Sequence, residues 1–494
     1  MKRIFFRFFK KELIPLYLII IIGAFLRLQG VFTNSFGFTY GVGKDMLTLW
    51  DIIHVHKIPL IGLEEAPGVF DGPWWYYFLT PFFIFSSGNP QGIAFVMALV
   101  GIFSIILGYI LGKRIGGYPL GIILATLISV SQIMVSFSSQ ISSIDLISLF
   151  TILLLFVLER IYLSNKNKLK YYFLLGAILA FIIDFEIIFG LLFALAIILS
   201  IVIIDRKKVS IMKLFLIFIG ALIITLPKII FDLRHQFLVI KSLIMFIAKG
   251  NPLYYMPSFY SLVANRLEVF FSQFSYTLAA GNALLGSFIL LSFVFFYRNL
   301  SIGINKFTKT SIIIILTIFV GAIFFPHDIW QNLLATLPIF YILLFSFCIF
   351  QIRKVTSSNF GYILLTIVFI VSISPSRLIQ SFVGPLWEGD AAVYRNQLAV
   401  VNYVYENANG RSFKYVVYTP PVYDYTYQYL FKWYGEDKFK YVPSVQANLA
   451  YFILEPDLQV PSRPVEWLKQ REGDGKIIES KVVRGGIVVQ TRVH

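Results

Sequence analysis

The chain of 494 residues is 58% hydrophobic and only 14% charged, has a net charge of +16 and contains one cysteine, Cys348. Because about 25% of the residues in an ordinary soluble protein are charged, this composition excludes a disordered chain, a coiled coil, a disulfide scaffold and an ordinary cytosolic enzyme. It indicates a polytopic membrane protein. The basic excess alone is compatible with nucleic acid, a lipid surface or membrane topology.

Eleven apolar runs are candidate transmembrane helices, since about 20 apolar residues cross a bilayer core. The first run follows a basic stretch that has no small-residue cleavage site, which predicts an anchor rather than a removed signal peptide. Asp184 and Glu186 interrupt two runs that are otherwise nearly continuous. The runs lie near 13–31, 91–112, 117–136, 144–161, 170–184, 186–204, 213–231, 283–297, 310–325, 331–350 and 359–375.

Lysine and arginine predict how these runs are oriented. They concentrate in alternate loops, and the short loops near 137–143, 184–186 and 326–330 contain none. Positively charged loops are usually cytoplasmic, so we predict a cytoplasmic N-terminus and, with eleven spans, an extracytoplasmic C-terminus. The basic excess therefore belongs to the inner loops and does not indicate a nucleic-acid partner. We call the opposite, slightly acidic side the predicted outer face.

The composition changes near residue 375 and predicts two domains. Residues 1–375 form the membrane domain, with a large first outer loop at 32–90 and a second at 232–282, whose aromatic stretches predict helices lying along the interface. Residues 376–494 contain no apolar run. Their alternating segments near 413–418 and 486–490 predict strands, and 391–408 predicts a helix. We expect a small α/β domain on the predicted outer face.

Acidic side chains gather at the predicted outer ends of different spans. Asp45 and Asp71 lie in the first outer loop, and Asp184 and Glu186 lie at a short outer turn. Such residues either cap helices and face water or converge in one cavity above the membrane, and the sequence leaves both interpretations open. His54 and His56 have no third ligand nearby, so we predict no zinc site there.

Basic and aromatic residues on the same side also allow two interpretations. Lys228, Arg234 and His235 follow Pro227 at the end of a run, where they would either bind a lipid phosphate or anchor the chain at the interface. All the tryptophans fall on the predicted outer side. Tryptophan prefers the membrane interface, and its face also stacks on sugar rings.

Four segments together resemble the GT-C superfamily of polytopic glycosyltransferases. The likeness is to bacterial members related to the protein O-mannosyltransferases of family 39 and to the aminoarabinose transferases. It extends over the layout of residues 1–375, and an outer C-terminal domain also fits. The segments are the acidic stretch 40–45, the pair 60–62 and 72–77, the stretch 226–237 and the dipeptide 337–338.

The resemblance implies a polytopic helical fold and transfer of a sugar from a polyprenyl-phosphate donor to a lipid, protein or glycan acceptor outside the bacterial inner membrane. It implies that an acid of the first outer loop, here Asp45, is the general base. No cofactor is expected, and many members need no metal, although a divalent ion is left open. The donor phosphate would be bound by Lys44, Lys228, Arg234 and His235. The sugar or acceptor would be bound by Asp71, Trp74, Trp75, Tyr77, Asp184 and Glu186.

Two positions depart from the family pattern. Gly41 stands where many members have another acid, commonly the catalytic one, and Asp71 stands where a histidine often precedes Gly-Pro. Because Gly41 lacks this acid, a catalytically altered protein that only binds glycans stays one alternative interpretation. A flippase for lipid-linked sugars is a second alternative, although the charges lie at outer helix ends rather than at mid-membrane. A polysaccharide polymerase or ligase with a diphosphate-linked donor is a third.

Overall fold

The computed structural model of the chain describes residues 13–164, 168–206, 209–249, 258–296, 302–356, 359–373, 390–420 and 422–493. The predicted domain boundary at 375–376 lies outside these residues. The helices up to residue 372 are α1 (Ile14–Phe32), α2 (Tyr40–His54), α3 (Trp74–Phe85), α4 (Pro90–Val130), α5 (Gln132–Ser138), α6 (Ile144–Leu163), α7 (Lys170–Phe185), α8 (Ile187–Ile204), α9 (Ile211–Arg234), α10 (Leu238–Lys249), α11 (Phe259–Leu278), α12 (Ala283–Phe296), α13 (Ile302–Phe324), α14 (Leu337–Thr356) and α15 (Phe360–Ser372).

Helix α4 contains two of the predicted runs, joined by a tight reversal. Gly116 and Gly117 leave the helical conformation, and Gly117 has a φ of +81°, which glycine adopts without strain. The two arms then pack closely, because a Cβ at Gly121 would meet the Tyr109 carbonyl oxygen at 2.7 Å and the Lys113 nitrogen at 3.1 Å. Glycine at this contact lets the two backbones approach each other.

Within the described residues, the predicted apolar runs coincide with helical segments, and the polytopic helical fold is confirmed. Within the described residues, six helices are long and apolar enough to cross a membrane, or seven when the bent pair α11 and α12 is taken as one span. That pair turns by 90°. The predicted number of eleven spans stays a prediction, as does the orientation of the termini.

The first outer loop is well structured and contains most of the elements that position the site. Helix α2 is followed by a small antiparallel hairpin, β1 (Glu64–Ala66) and β2 (Val69–Phe70), and then by α3. The hairpin turn uses Gly68 at a φ of +73°, and the Gly68 nitrogen donates to Glu64 Oε1 at 2.9 Å. Gly68 packs directly on Ser242 of α10, so the second outer loop supports the hairpin.

The C-terminal region has the predicted α/β character. Strands β3 (Phe413–Tyr418), β4 (Leu449–Leu454), β5 (Lys476–Val482) and β6 (Val488–Val493) form one sheet in the order β3-β4-β6-β5. Strands β3 and β4 are parallel and the other pairs are antiparallel. Helices α16 (Tyr394–Ala408), α17 (Tyr425–Tyr434) and α18 (Ser462–Lys469) accompany the sheet.

This region packs on the first outer loop. The Phe38 nitrogen donates to the Ala392 carbonyl at 2.7 Å, and the Trp433 indole donates to the Ser87 carbonyl at 2.8 Å. Gly43 on α2 meets the α17 backbone at Thr426, where any Cβ would clash. The C-terminal region therefore fixes the back of α2, the helix that carries Asp45.

Candidate active site

A cavity of about 240 Å³ lies among the first outer loop, the α7–α8 junction and the segment that precedes α14. Five carboxylate side chains line it, and four of them are sequence-predicted site residues. Within the described part of the chain, no three acidic, histidine or cysteine side chains are grouped to hold a metal ion. The acids lining the cavity are Asp45, Glu65, Asp71, Asp184 and Glu186.

Asp45 is held rigidly at the cavity wall. The Trp75 indole N–H donates to its Oδ2 and the Tyr76 hydroxyl donates to its Oδ1, both at 2.9 Å. Burial raises the pKa of Asp45 to about 6, although the two hydrogen bonds oppose that shift. Because Asp45 and both donors are buried, the carboxylate is positioned before any ligand arrives. It is ionised at neutral pH with a pKa suited to general base catalysis.

Asp184 and Gly72 form the junction between α7 and the first outer loop. The Gly72 nitrogen donates to the Asp184 carbonyl at 2.7 Å, and the Trp74 nitrogen donates to Asp184 Oδ2 at 3.1 Å. A Cβ at Gly72 would occupy the position of the Asp184 carboxylate. Glycine is therefore required here because the Asp184 carboxylate occupies the space where a side chain would begin, and Pro73 is the N-cap residue of α3.

Asp71 sits beside Glu65 at the base of the hairpin. Its backbone is fixed by Gly62, which donates to the Asp71 carbonyl at 2.8 Å, and by its own N–H, which donates to the Leu63 carbonyl at 2.9 Å. Burial raises the pKa of Asp71 well above its usual range, the Glu65 carboxylate raises it further, and Lys228 opposes the shift. Burial and the neighbouring Glu65 therefore favour the protonated form of the Asp71 carboxyl group.

Lys228 is a basic residue whose charge interacts with several of these acids. It interacts electrostatically with Asp71, Asp184, Asp232 and Glu186. Within the described structure its buried Nζ has no hydrogen-bond partner, and neither does Oδ1 of Asp71 or of Asp184. Buried polar groups are normally paired, so three unpaired groups at one place indicate a site that receives polar atoms from a ligand or water.

Glu186 has a local structural task. Its side chain accepts from the Ile188 nitrogen at 3.1 Å and from the Gly190 nitrogen at 2.9 Å, so it caps the N-terminus of α8. It also lines the cavity. Asp232 has the same kind of role, because its Oδ1 accepts from the Val239 nitrogen at 2.7 Å.

The other three predicted phosphate ligands, like Lys228, are not among the described residues that line the cavity. Arg234 and His235 are exposed at the end of α9, and the His235 ring stacks on Phe231 with centroids 4.0 Å apart. Lys44 precedes Asp45 on α2 but is not among the described residues that line the cavity. The structure therefore brings the predicted acids together and leaves these three cations outside them.

The predicted aromatic ligands mainly build the site. The Trp74 indole donates to the Ile224 carbonyl at 2.7 Å, and its ring packs on Phe181. The Tyr77 hydroxyl donates to the Pro59 carbonyl at 2.5 Å. Trp75 lines the cavity but is only 5% exposed, and its N–H is used by Asp45. These three aromatic residues therefore serve mainly to position the carboxylates, and not to present an exposed ring face to a ligand.

The cavity-lining residues that sequence reasoning did not predict include Glu65, Trp330 and Asn332. Glu65 is one of several acids in the first outer loop, and nothing in the local sequence distinguishes it from its neighbour Glu64. Trp330 and Asn332 lie in a segment without charge clustering before α14. The position of Trp330 among the outer tryptophans was the only signal, and it did not separate Trp330 from the others.

One family profile and several solved structures match this chain. The sequence profile of the dolichyl-phosphate-mannose-protein mannosyltransferases matches residues 71–231, which run from Asp71 to the last turn of α9. The structure of ArnT from Cupriavidus metallidurans bound to undecaprenyl phosphate matches with a TM-score of 0.62 at 10% identity, over 97% of this chain and 98% of ArnT. This chain has the GT-C fold.

Two further solved structures are similar to this chain. Apo ArnT matches the GT-C chain with a TM-score of 0.60, again at 10% identity over 97% of this chain and 98% of ArnT. The Archaeoglobus fulgidus oligosaccharyltransferase, in complex with zinc and sulfate, matches at 0.50 and 13% identity over 84% of this chain and 61% of its own. No curated protein sequence matches the chain. The predicted resemblance to polytopic GT-C glycosyltransferases is confirmed.

Proposed function

We propose that this GT-C protein transfers a sugar from a polyprenyl-phosphate donor to an acceptor on the extracytoplasmic face of a bacterial inner membrane. The observation that carries the proposal is the Asp45 carboxylate, fixed by Trp75 and Tyr76 at the wall of an acidic cavity. The match to the mannosyltransferase sequence profile and the structural similarity to ArnT support a lipid-linked sugar donor. The acceptor is a hydroxyl of a protein, lipid or glycan.

Asp45 acts as the general base. It takes the proton from the acceptor hydroxyl while the acceptor oxygen attacks the anomeric carbon of the sugar. The bond between that carbon and the phosphate oxygen breaks, and its electron pair leaves with the polyprenyl phosphate. Proton removal during attack needs a base within hydrogen-bond reach and with a pKa near the working pH, and Asp45 has both properties when an acceptor enters.

The leaving phosphate needs nearby positive charge, because negative charge develops on it. Lys228 supplies that charge from behind the cavity, where its Nζ is buried and unpaired within the described structure. The cavity wall itself is acidic, so the phosphate stays at its edge and does not enter among the carboxylates. Arg234 and His235 lie exposed at the end of α9, where they meet the lipid phosphate on its way in.

Asp71 and Asp184 orient sugar hydroxyls. Each has one buried carboxylate oxygen without a hydrogen-bond partner among the described residues, and a sugar hydroxyl is a suitable donor for it. Trp74 and Tyr77 support them by fixing α3. Glu186 contributes through the fixed start of α8. The proposed reaction uses no cofactor.

A catalytically altered, glycan-binding protein is the second candidate. The specific observation in its favour is that Gly41 lines the cavity without a carboxylate. The rest of the wall argues for catalysis, because a binding protein has no need of an aspartate with a raised pKa held by two donors.

Radioactive sugar transfer by the purified full chain in detergent tests the proposal. The donor is undecaprenyl-phosphate mannose or undecaprenyl-phosphate glucose, and membranes of the source organism provide the acceptor. We expect transfer by the natural protein and loss of transfer in Asp45→Asn. Full activity of Asp45→Asn would remove Asp45 as the base. Donor binding without transfer would favour the glycan-binding alternative, and movement of the intact lipid across liposomes would favour a flippase.

A further inference from the structure

Trp330 is the one described tryptophan that is largely exposed, with 58% of its surface accessible. It lines the same cavity as Asp45 and Asp71. Asn332, two residues later, is also exposed and also lines the cavity. An apolar face beside a side-chain amide is the combination that specific pockets use to hold a small polar ligand in one orientation.

Buried hydrogen bonds fix the backbone of the segment that precedes Trp330. Arg266 on α11 is fully buried, and its guanidinium donates to the carbonyls of Ala322 at 3.1 Å, Phe325 at 3.1 Å and His327 at 2.7 Å. The His327 ring stacks on Phe246 with centroids 3.7 Å apart. Trp330 is thus presented by a fixed backbone, and a ligand that binds it does not have to order a loop.

A second anchor lies on the other side of Trp330. The Gln331 amide donates to Ser272 Oγ at 3.2 Å, and the Gln273 amide donates to the Leu334 carbonyl at 3.4 Å. Both partners belong to α11. The chain therefore fixes the backbone on both sides of Trp330 and leaves its ring exposed, although burying an indole ring would stabilise the fold.

The cavity offers polar partners beside the Trp330 ring. Its lining includes carboxylates, the Asn332 amide and the hydroxyl groups of Thr39, Ser142 and Ser143, all of which can hydrogen-bond to the hydroxyl groups of a sugar. The volume of about 240 Å³ is large enough for a sugar ring. Trp330 adds an aromatic face to this polar lining.

We propose that Trp330 and Asn332 form a binding platform for one pyranose ring, with the indole face under the ring C–H groups and the amide on a ring hydroxyl. The inference rests on the proposed function, because that function brings a sugar to this cavity. The ring belongs either to the donor or to a glycan acceptor, and the chemistry of recognition is the same for both. Trp330 thereby contributes to sugar selection rather than to proton transfer.

Binding and transfer by the full chain in detergent separate the two sources. The binding probes are undecaprenyl phosphate, undecaprenyl-phosphate mannose and undecaprenyl-phosphate glucose, and transfer to source membranes gives an apparent KM for the acceptor. The variants are Trp330→Leu and Trp330→Phe. The matched control is Tyr260→Leu, which removes a ring that is 83% exposed on α11 and is not among the described cavity residues. Thermal unfolding verifies that each variant folds.

For a donor sugar, Trp330→Leu weakens binding of a sugar-bearing lipid by about tenfold and leaves undecaprenyl phosphate unchanged. For an acceptor sugar, donor binding is unchanged and the apparent acceptor KM rises by about the same factor. In both cases Trp330→Phe retains most of the natural value, because a phenyl ring keeps an apolar face. The proposal is overturned when neither quantity changes, or when Tyr260→Leu has the same effect as Trp330→Leu.

These outcomes are separate from those of the proposed function. When the natural protein transfers sugar and Trp330→Leu behaves like it, only the platform fails. When the natural protein binds sugar-bearing lipid through Trp330 but transfers nothing, the platform stands and the transferase proposal fails.

Discussion

Charged side chains lie at both ends of the helical bundle, half-buried at the predicted inner end and buried at the predicted outer end, and they are arranged differently. At the predicted inner end, Lys306 of α13 forms an ion pair with Asp205 at 2.9 Å and also donates to the Tyr162 carbonyl. At the predicted outer end, the Lys228 Nζ lacks a hydrogen-bond partner in the described structure, although Asp71 and Asp184 interact with its charge.

The difference separates a charge that is paired within the fold from charges that have no hydrogen-bond partner among the described residues. A paired lysine contributes to the position of two helices and little else. An unpaired buried lysine beside unpaired carboxylate oxygens is unfavourable for folding, since each group loses hydration without a partner. Such an arrangement is characteristic of sites where function opposes stability. The predictions below compare the two ends.

The largest effect is expected from the base. Asp45→Asn keeps the shape of the side chain and removes its ability to take a proton, so sugar transfer should fall by about 100- to 10,000-fold. Asp205→Asn at the inner end is the matched control and should retain most of the activity. Both rates are measured in the radioactive transfer assay. Equal losses in the two variants would mean that the outer acid has no special role.

Replacing the lysines should separate catalysis from packing. Lys228→Met removes the positive charge near the leaving phosphate and should reduce transfer about 100-fold. Lys306→Met removes the inner ion pair and should leave transfer near the natural rate while lowering stability by no more than about 1 kcal/mol. Transfer rates and unfolding midpoints are measured for both. A catalytic loss in Lys306→Met as large as in Lys228→Met would refute this distinction.

The close approach at Gly72 should also be sensitive. Gly72→Ala puts a Cβ where the Asp184 carboxylate lies, so α3 or α7 must shift and transfer should fall by about tenfold or more. Gly473→Ala is the control, because nothing lies within 4 Å of the added Cβ. Equal transfer rates in the two variants would show that the Gly72–Asp184 contact does not position the site.

The pH dependence should follow Asp45. Its raised pKa of about 6 means that the carboxylate is the main form above that pH and the protonated acid is the main form below it. Protonated Asp45 accepts no proton, so transfer should fall about tenfold for each pH unit below 6. Donor binding, measured in parallel, should change less. A transfer rate that stays constant between pH 7 and pH 5 would contradict the role of Asp45 as base.

The smallest effect is expected at Gly41. A Cβ there would have only ordinary contacts, with Thr39 Oγ1 at 3.9 Å and Leu63 at 4.0 Å, so Gly41→Asp should fold and place a second carboxylate at the cavity wall. If Asp45 is already the base, transfer should change only a few-fold. A large gain of activity in Gly41→Asp would instead show that the natural protein lacks its main base.

Much of the fold was predictable because membrane spans have strong sequence signals. The apolar runs and the α/β character of the C-terminal region follow from hydropathy and alternation. The count of spans does not follow, since hydropathy cannot separate a crossing helix from a bent or short one such as the α11–α12 pair.

The site was predictable only in part. The convergence of Asp45, Asp71 and Asp184 depends on the meeting of Gly72 with α7, a contact between residues more than a hundred positions apart. Sequence also could not show that Trp75 is used to hold Asp45, or that Trp330 has the free face, because all outer tryptophans have the same interfacial preference. Long-range packing assigns these roles, and local sequence does not.

The most direct test of the central claim is the structure of the full chain with undecaprenyl-phosphate mannose, determined by cryo-electron microscopy in a lipid nanodisc. The claim predicts that the sugar occupies the acidic cavity, with the anomeric carbon next to the Asp45 carboxylate and the phosphate at the edge nearest Lys228. A donor bound with its sugar outside this cavity, away from Asp45, would contradict the account.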